Sequence, residues 1–353
     1  ELWGETLGRP RAGTVFFGGG TPSYLSETHI GRLIDVIRNS FKVVLQAEVT
    51  LEANPDDVSG PKLDAWLGRE VNRLSLGVQS FDDRLLEMLG RRHSSAGAIK
   101  AHRAAVDAGF LNTNIDLMYG LPGQSMEDWR RTLEQANILA PPHVSMYCLT
   151  LEGGTPIERL VSSGRLAEPD PDLAADMYLM AEEFMEREGY LHYEISNWSK
   201  PGFESRHNLV YWRNQNYLGV GPGAHSYLHG FRFFNFRSPA AYVRRLGSDL
   251  AGSHGMRGLT AGSLDRMPAV AGVETIDRRL EMAETMMMGL RLKEGVDSLD
   301  FGRRFGSTPY AEYTEVIGEL DDLGLLETDN GALKLTRRGR ILGNEVFSRF
   351  FED

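Results

Sequence analysis

In the first half of the chain, the residues whose types suit chemistry fall in five short stretches: Gly18-Gly19-Gly20-Thr21-Pro22, Glu52-Ala53-Asn54-Pro55, Gln79-Ser80, Arg91 and Asp116. Glycines such as Gly20 let backbone N–H and C=O groups approach a ligand with no Cβ in the way; the same run also reads as a tight strand-to-helix turn. Glu52 can accept hydrogen bonds from an ammonium or a hydroxyl, or stand as a solvated carboxylate at a strand end. Gln79 and Asp116 offer a neutral and an anionic partner. Arg91 can grip a carboxylate in a charge-assisted pair worth roughly 1.5–3 kcal/mol, or lie exposed at a helix end beside Arg92. A second group of interest runs from Tyr193 to Phe236, a stretch full of aromatics, His, Asn and Gly that reads as loop-rich. Loops with such side chains tend to carry function.

The elements that must position the first group follow a rhythm. Short β-branched or apolar runs at residues 14–17, 48–52, 71–78, 111–118 and 144–149 alternate with helical patterns, the signature of βαβ units and a parallel sheet. Ile30, Leu33, Ile34 and Ile37 share one helix face, Ser125 can cap a helix carrying Trp129 and Leu133, and Gly109 closes the helix before the fourth strand. Nearly every strand runs straight into one of the polar or glycine-rich stretches, and ligands of parallel α/β sheets and barrels bind beyond the carboxyl ends of the strands. After Pro156 the rhythm changes, with a helix over 172–188 closed by Gly189. A boundary near Ser238 divides residues 1–238 from 239–353. The latter holds a Met-rich helix over 282–292, a helix over 309–323, a hairpin turning at Asn330-Gly331 and a last helix starting at Thr336. That tail reads as a small winged-helix-like unit.

Composition narrows the classes. A chain of 353 residues buries roughly three quarters of its unfolded surface, enough for one large domain and an appendage. The hydrophobic fraction of 41% and charged fraction of 25% are those of a globular protein. No apolar run approaches the roughly 20 residues that cross a bilayer, so membrane association is expected at most at the periphery. A net charge of -11 argues against an electrostatic grip on nucleic acid. Lys334, Arg337, Arg338 and Arg340 make the tail locally basic, but a DNA-binding regulator needs a broader basic surface. One cysteine, Cys148, rules out an internal disulfide and by itself cannot hold a structural zinc or an iron–sulfur cluster, which matches a reducing, cytoplasmic setting. The chain opens at Glu1 with a stretch that reads as the tail of an earlier helix, so it is expected to be a fragment at its N-terminus.

The five stretches, in their order and over most of residues 13–150, resemble the radical S-adenosylmethionine (SAM) superfamily. The resemblance implies an α/β fold: a partial (β/α)6 radical SAM barrel lacking its first strand, followed by the helical, winged-helix-like domain. It places Gly20 and Thr21 along the methionyl part of SAM, gives Glu52 its ammonium or ribose, Gln79 and Asp116 its ribose or adenosyl groups, and Arg91 its carboxylate. It also implies a [4Fe–4S] cluster held by a CxxxCxxC loop. No such triad occurs in this sequence, and the ligands are expected upstream of residue 1.

Among radical SAM families the chain resembles the oxygen-independent coproporphyrinogen III oxidase group, and within it the HemW type. The residues that carry this are Tyr193-Glu194-Ile195-Ser196-Asn197, His207-Asn208-Leu209-Val210-Tyr211-Trp212 and residues 219–227, GVGPGAHSY. The resemblance implies a haem chaperone that binds haem and passes it to acceptor haemoproteins such as respiratory enzymes. His207 would supply an axial imidazole to the haem iron, Tyr211 and Trp212 flat faces for the porphyrin, and Arg206 or Arg213 partners for its propionates. The bland alternative is a histidine capped by Asn208, with Tyr211 and Trp212 in the core. His225 is a second ligand candidate or part of a tight turn; Met286, Met287 and Met288 line a haem pocket or fill the core. The rival function is the oxidase itself, oxidative decarboxylation of coproporphyrinogen III.

Overall fold

The computed structural model describes residues 1–249 and 259–351 and divides into two compact units, one comprising Gly13–Val36 and Val44–Ser205, the other Glu1–Ala12, Ile37–Val43 and Arg206–Asp353.

The first unit is built on a seven-stranded sheet. Its strands are β1 (Arg11–Phe17), β2 (Lys42–Ala53), β3 (Arg73–Gln79), β4 (Thr113–Tyr119), β5 (His143–Cys148), β6 (Leu191–Glu194) and β7 (Asn197–Ser199), in the order β1-β2-β3-β4-β5-β7-β6. From β2 to β5 each neighbouring pair is parallel, and β7 and β6 close the edge antiparallel. Helices Glu27–Ser40, Gly60–Gly68, Ser95–Ala108, Met126–Leu139 and Pro171–Arg187 complete the βαβ rhythm. The alternation along the strands explains both faces. Leu51, Leu74, Leu76, Val78, Ile115, Leu117 and Val144 are fully buried on the helix side. Glu52, Arg73, Ser75, Gln79, Asn114, Asp116, His143 and Ser145 take the alternate positions and face the concave side. Barrels of this kind are ordinarily filled by branched apolar residues; here the concave face of β2–β5 is polar.

Local signals explain the connections. Ser125 forms a capping box with Asp128, and Gly109 ends its helix at φ 110°, a left-handed conformation that suits glycine. Trp129 is wholly buried and its indole N–H donates to the Met177 carbonyl at 2.9 Å, fastening the helix before β5 to the helix before β6. The expected strands appear, with β2 beginning earlier than the 48–52 run because residues 42–47 also extend.

The second unit holds two three-stranded antiparallel sheets. One orders β10 (Val270–Thr275), β9 (Phe231–Asn235) and β8 (His225–Leu228); the other orders β11 (Val296–Asp297), β13 (Ala332–Leu335) and β12 (Leu326–Asp329). Trp3, Leu228, Phe233, Leu264, Met267 and Val270 form a core behind the first sheet, with Trp3 stacked on Phe233 at 5.2 Å. The Asn330-Gly331 turn joins β12 to β13 with φ 49° and 84°, as a two-residue hairpin requires. With helices Ser298–Phe305, Thr314–Asp322 and Gly343–Arg349, this is the winged-helix-like tail.

One expectation is sharpened and one corrected. The loop-rich stretch 193–236 also carries short regular pieces, the end of β6, β7 to β9 and the helix Arg206–Trp212, each too short to show periodicity. The helix expected over 309–323 breaks at Tyr313, whose φ of -128° is not helical.

Candidate functional site

The first cluster forms where β1 to β4 end. The glycine run leaves β1, and the Gly19 N–H donates to Glu52 Oε2 at 3.2 Å. A Cβ on Gly18 would lie 2.4 Å from the Phe16 ring and 3.1 Å from the Glu52 carboxyl carbon, so any other residue there would have to displace the Phe16 ring. Gly19 and Gly20 meet nothing within 4 Å on that side, leaving their backbone open. Ser23 fixes this loop to the next: its hydroxyl donates to Asp57 at 2.8 Å and accepts from the Asn54 N–H at 3.1 Å. Arg91 is not a free helix-end side chain. Its guanidinium donates to Asn54 Oδ1 at 2.6 Å and to the Gly77 carbonyl at 2.9 Å, which turns it over the ends of β2 and β3. Gln79 sits beside it with φ 68°, a left-handed backbone costly for a side-chain-bearing residue, and strain of this kind gathers at ligand sites.

Asp116 lies deeper. Ser75 Oγ donates to it at 3.1 Å and Asn114 Nδ2 at 2.7 Å. The network continues below: His143 Nδ1 donates to Asn114 Oδ1 at 2.6 Å, the Tyr193 hydroxyl meets His143 Nε2 at 2.8 Å, and the Ser205 N–H donates to the Tyr193 oxygen at 3.2 Å. Burial drives the His143 pKa well below the ordinary range, so the ring is neutral and can play both parts. Burial also raises the Asp116 pKa against the pull of its hydrogen bonds. Glu52 is pushed up to about 7, by burial first and by the charge of Asp116 second, while the Gly19 N–H and Arg73 pull it down. The structure thus brings Gly20, Thr21, Glu52, Gln79, Arg91 and Asp116 to one end of one sheet. Arg73, Asn114 and His143 are not among the residues singled out from the sequence, and Tyr193 is singled out there only within the Tyr193–Asn197 stretch; the alternation Arg73-x-Ser75-x-Gly77-x-Gln79 is the signal that points to Arg73.

The second cluster is the helix Arg206–Trp212. His207 and Tyr211, four residues apart, share a face: His207 Nε2 and the Tyr211 hydroxyl form a 2.9 Å hydrogen bond and the rings meet edge to face. Burial pushes the Tyr211 phenol up to about 12. Trp212 lies about 140° further round the helix, with the Arg291 guanidinium 4.4 Å from its ring centroid and its buried indole N–H lacking an acceptor. Arg213 is paired with Glu294 at 3.0 Å. His225 is exposed and stacks on Phe234 in the strand pair β8–β9, while Met286 is fully buried in the core.

Comparison with known proteins gives these clusters a lineage. Residues 4–136 match the model of the radical SAM superfamily and residues 276–342 that of the HemN C-terminal domain. The heme chaperone HemW of Bacillus subtilis (strain 168) is 37% identical over 344 residues, 97% of this chain and 86% of that protein. The heme chaperone HemW of Lactococcus lactis subsp. lactis (strain IL1403) is 36% identical over 340 residues, 96% and 85% of the two. The chain belongs to the HemW family. Its fold is also that of the radical SAM enzyme coproporphyrinogen III oxidase (HemN) of Escherichia coli, with a TM-score of 0.79 at 23% identity over 99% of this chain and 81% of that one.

For a HemW-family chain one implied group does not fit the residues present. A [4Fe–4S] cluster takes three thiolates in this superfamily, whereas Cys148 is the one cysteine of the sequence and sits exposed at the end of β5. Among the described residues no group of three or more His, Cys, Asp or Glu side chains is arranged to hold a metal ion. Nor is any described helix long and apolar enough to cross a membrane.

Proposed function

We propose that this chain binds haem and hands it to acceptor haemoproteins such as respiratory enzymes, and that its barrel mouth binds SAM. The observation that carries the chaperone reading is its kinship, over nearly its whole length, with relatives named haem chaperones. His207 supports it locally: a half-buried imidazole whose Nε2 is held by a phenol, the kind of nitrogen that takes an axial position on haem iron. Tyr211 presents the adjoining aromatic face, whereas Trp212 lies on another side of the helix beneath the Arg291 guanidinium. The mouth supports the SAM reading through the open backbone at Gly19 and Gly20 beside Thr21, the carboxyls of Glu52 and Asp116, the amide of Gln79 and the guanidinium of Arg91. When bound, SAM brings a sulfonium and an amino-acid end into reach of these groups. Glu52 would meet the ammonium or ribose and Arg91 the carboxylate.

A haem titration followed in the Soret region, beside an anaerobic assay of coproporphyrinogen III decarboxylation, tests the function. Stoichiometric haem binding without decarboxylation is the expected result; decarboxylation without specific haem binding would assign the oxidase activity instead.

The Glu52 carboxyl gives the mouth a pH dependence. It is neutral below about 7 and anionic above, so affinity for the cationic ligand SAM rises as pH climbs through that value and falls as pH drops below it. Calorimetry between about pH 6 and about pH 8 should show this slope, and Glu52→Gln should flatten it. An equal slope in both proteins would remove Glu52 from the contact.

A further inference from the structure

We propose that the Tyr211 hydroxyl is a built-in competitor of haem iron for His207 Nε2, one that keeps the cargo releasable. The inference rests on the haem-binding function proposed above and concerns how that site lets its cargo go. Both residues lie in the second unit, four apart on the helix Arg206–Trp212, and their contact is the 2.9 Å hydrogen bond between Nε2 and the phenol oxygen.

Each nitrogen of a neutral imidazole is either a donor or an acceptor, according to the tautomer. With the phenol donating, the lone pair of Nε2 holds the hydroxyl hydrogen. In the other tautomer Nε2 carries its own hydrogen and directs it at the phenol oxygen. In both arrangements Nε2 has no lone pair free for iron, so iron binds there only after the contact with Tyr211 has opened. The phenol does not give way by ionising, because burial pushes its pKa up to about 12, with Tyr217 adding to the shift. Nor is its ring loose. It meets Tyr217 edge to face at 4.7 Å, and Tyr217 is tied to the buried Tyr227 of β8, whose N–H donates at 3.0 Å and whose carbonyl accepts at 2.8 Å. The Tyr211 carbonyl accepts from the Asn214 N–H at 2.9 Å, and the buried Asn214 side chain is fastened to Thr285 at 3.0 Å. His207 stands a turn earlier, near the start of a helix with no fully buried residue, so the imidazole is the member of the pair that moves.

Loading and unloading therefore trade one bond for another at Nε2. As haem departs, the nitrogen lone pair leaves iron and accepts the phenol hydrogen. The proton stays on the Tyr211 oxygen, and the iron keeps its oxidation state. The freed nitrogen is not left without a partner, which lowers haem affinity and favours hand-off. A phenol that merely oriented the ring from its far side would require iron at Nδ1, and it predicts the opposite sign, since loss of such a partner weakens metal binding by 10–100-fold.

Tyr211→Phe removes the hydroxyl and keeps the ring. In the full chain this variant should bind ferric haem, titrated in the Soret region, ~2- to 10-fold more tightly than wild type, the equivalent of one neutral hydrogen bond. Transfer of its bound haem to excess apomyoglobin should slow by a similar factor. The same substitution made in His207→Ala should change neither quantity, because the effect runs through Nε2. Unchanged binding in Tyr211→Phe would overturn the proposal, and weakened binding would do so while making Tyr211 an orienting partner. Tighter binding with an unchanged transfer rate would remove the release role, and a gain that persists without His207 would reduce the effect to packing. A wild-type chain that binds no haem would instead take down the function proposed above, and this inference with it.

Discussion

Replacing His207 by alanine lowers haem affinity by at least ~100-fold and shifts or abolishes the Soret band of the complex. Loss of a partner that merely orients a metal-binding histidine costs 10–100-fold in affinity, and loss of the ligating nitrogen costs no less. The helix Arg206–Trp212 has no fully buried residue, so the substitution removes little packing and the protein should remain folded. Tyr211→Phe separates the two members of the pair: it frees His207 Nε2 from its 2.9 Å hydrogen bond while leaving the ring contact in place, and should change affinity far less. Wild-type binding and an unchanged spectrum in His207→Ala would take His207 out of the haem site.

The second large effect is expected at Arg91. Arg91→Ala should weaken SAM binding by roughly 10- to 150-fold, the equivalent of one charged hydrogen-bonding interaction. It also leaves Asn54 Oδ1 and the Gly77 carbonyl without their donor, so a loss of about 1–3 kcal/mol in stability accompanies it. Calorimetric titration on protein checked for folding by its thermal melt distinguishes the two effects. Arg91→Lys keeps a cation but cannot reach both oxygens and a ligand with a planar fork, so it should restore only part of the affinity. Wild-type affinity in Arg91→Ala would break the register that aligns these residues with SAM.

Much of the architecture was legible because it is written in local chemistry. Ser125 and Gly109 mark helix ends through side-chain and backbone preferences that act within a few residues, and the Asn330-Gly331 pair specifies its turn by the same means. The helix Arg206–Trp212 was less legible. Seven residues give no periodicity to read, and the strands around it are only three to five residues long.

Parallel βαβ units, the stretches that lie at the strand ends and the residue types able to meet a ligand there can all be read along the chain, since apolar alternation and strand-end punctuation are local properties. Which of those residues act together depends on the folded sheet. Arg91 reads alone as a helix-end cation, and the fold turns it onto Asn54 and Gly77. Asp116 reads alone as a strand carboxylate, and the pairing of Ser75 with Asn114 and of Asp116 with Ser145 places it in a polar network with His143 and Tyr193. Strand register is set by contacts between segments distant in the chain, and a slip of one residue would send each of these side chains to the opposite face. That is why the buried, unpaired Arg73 emerges only from the folded sheet.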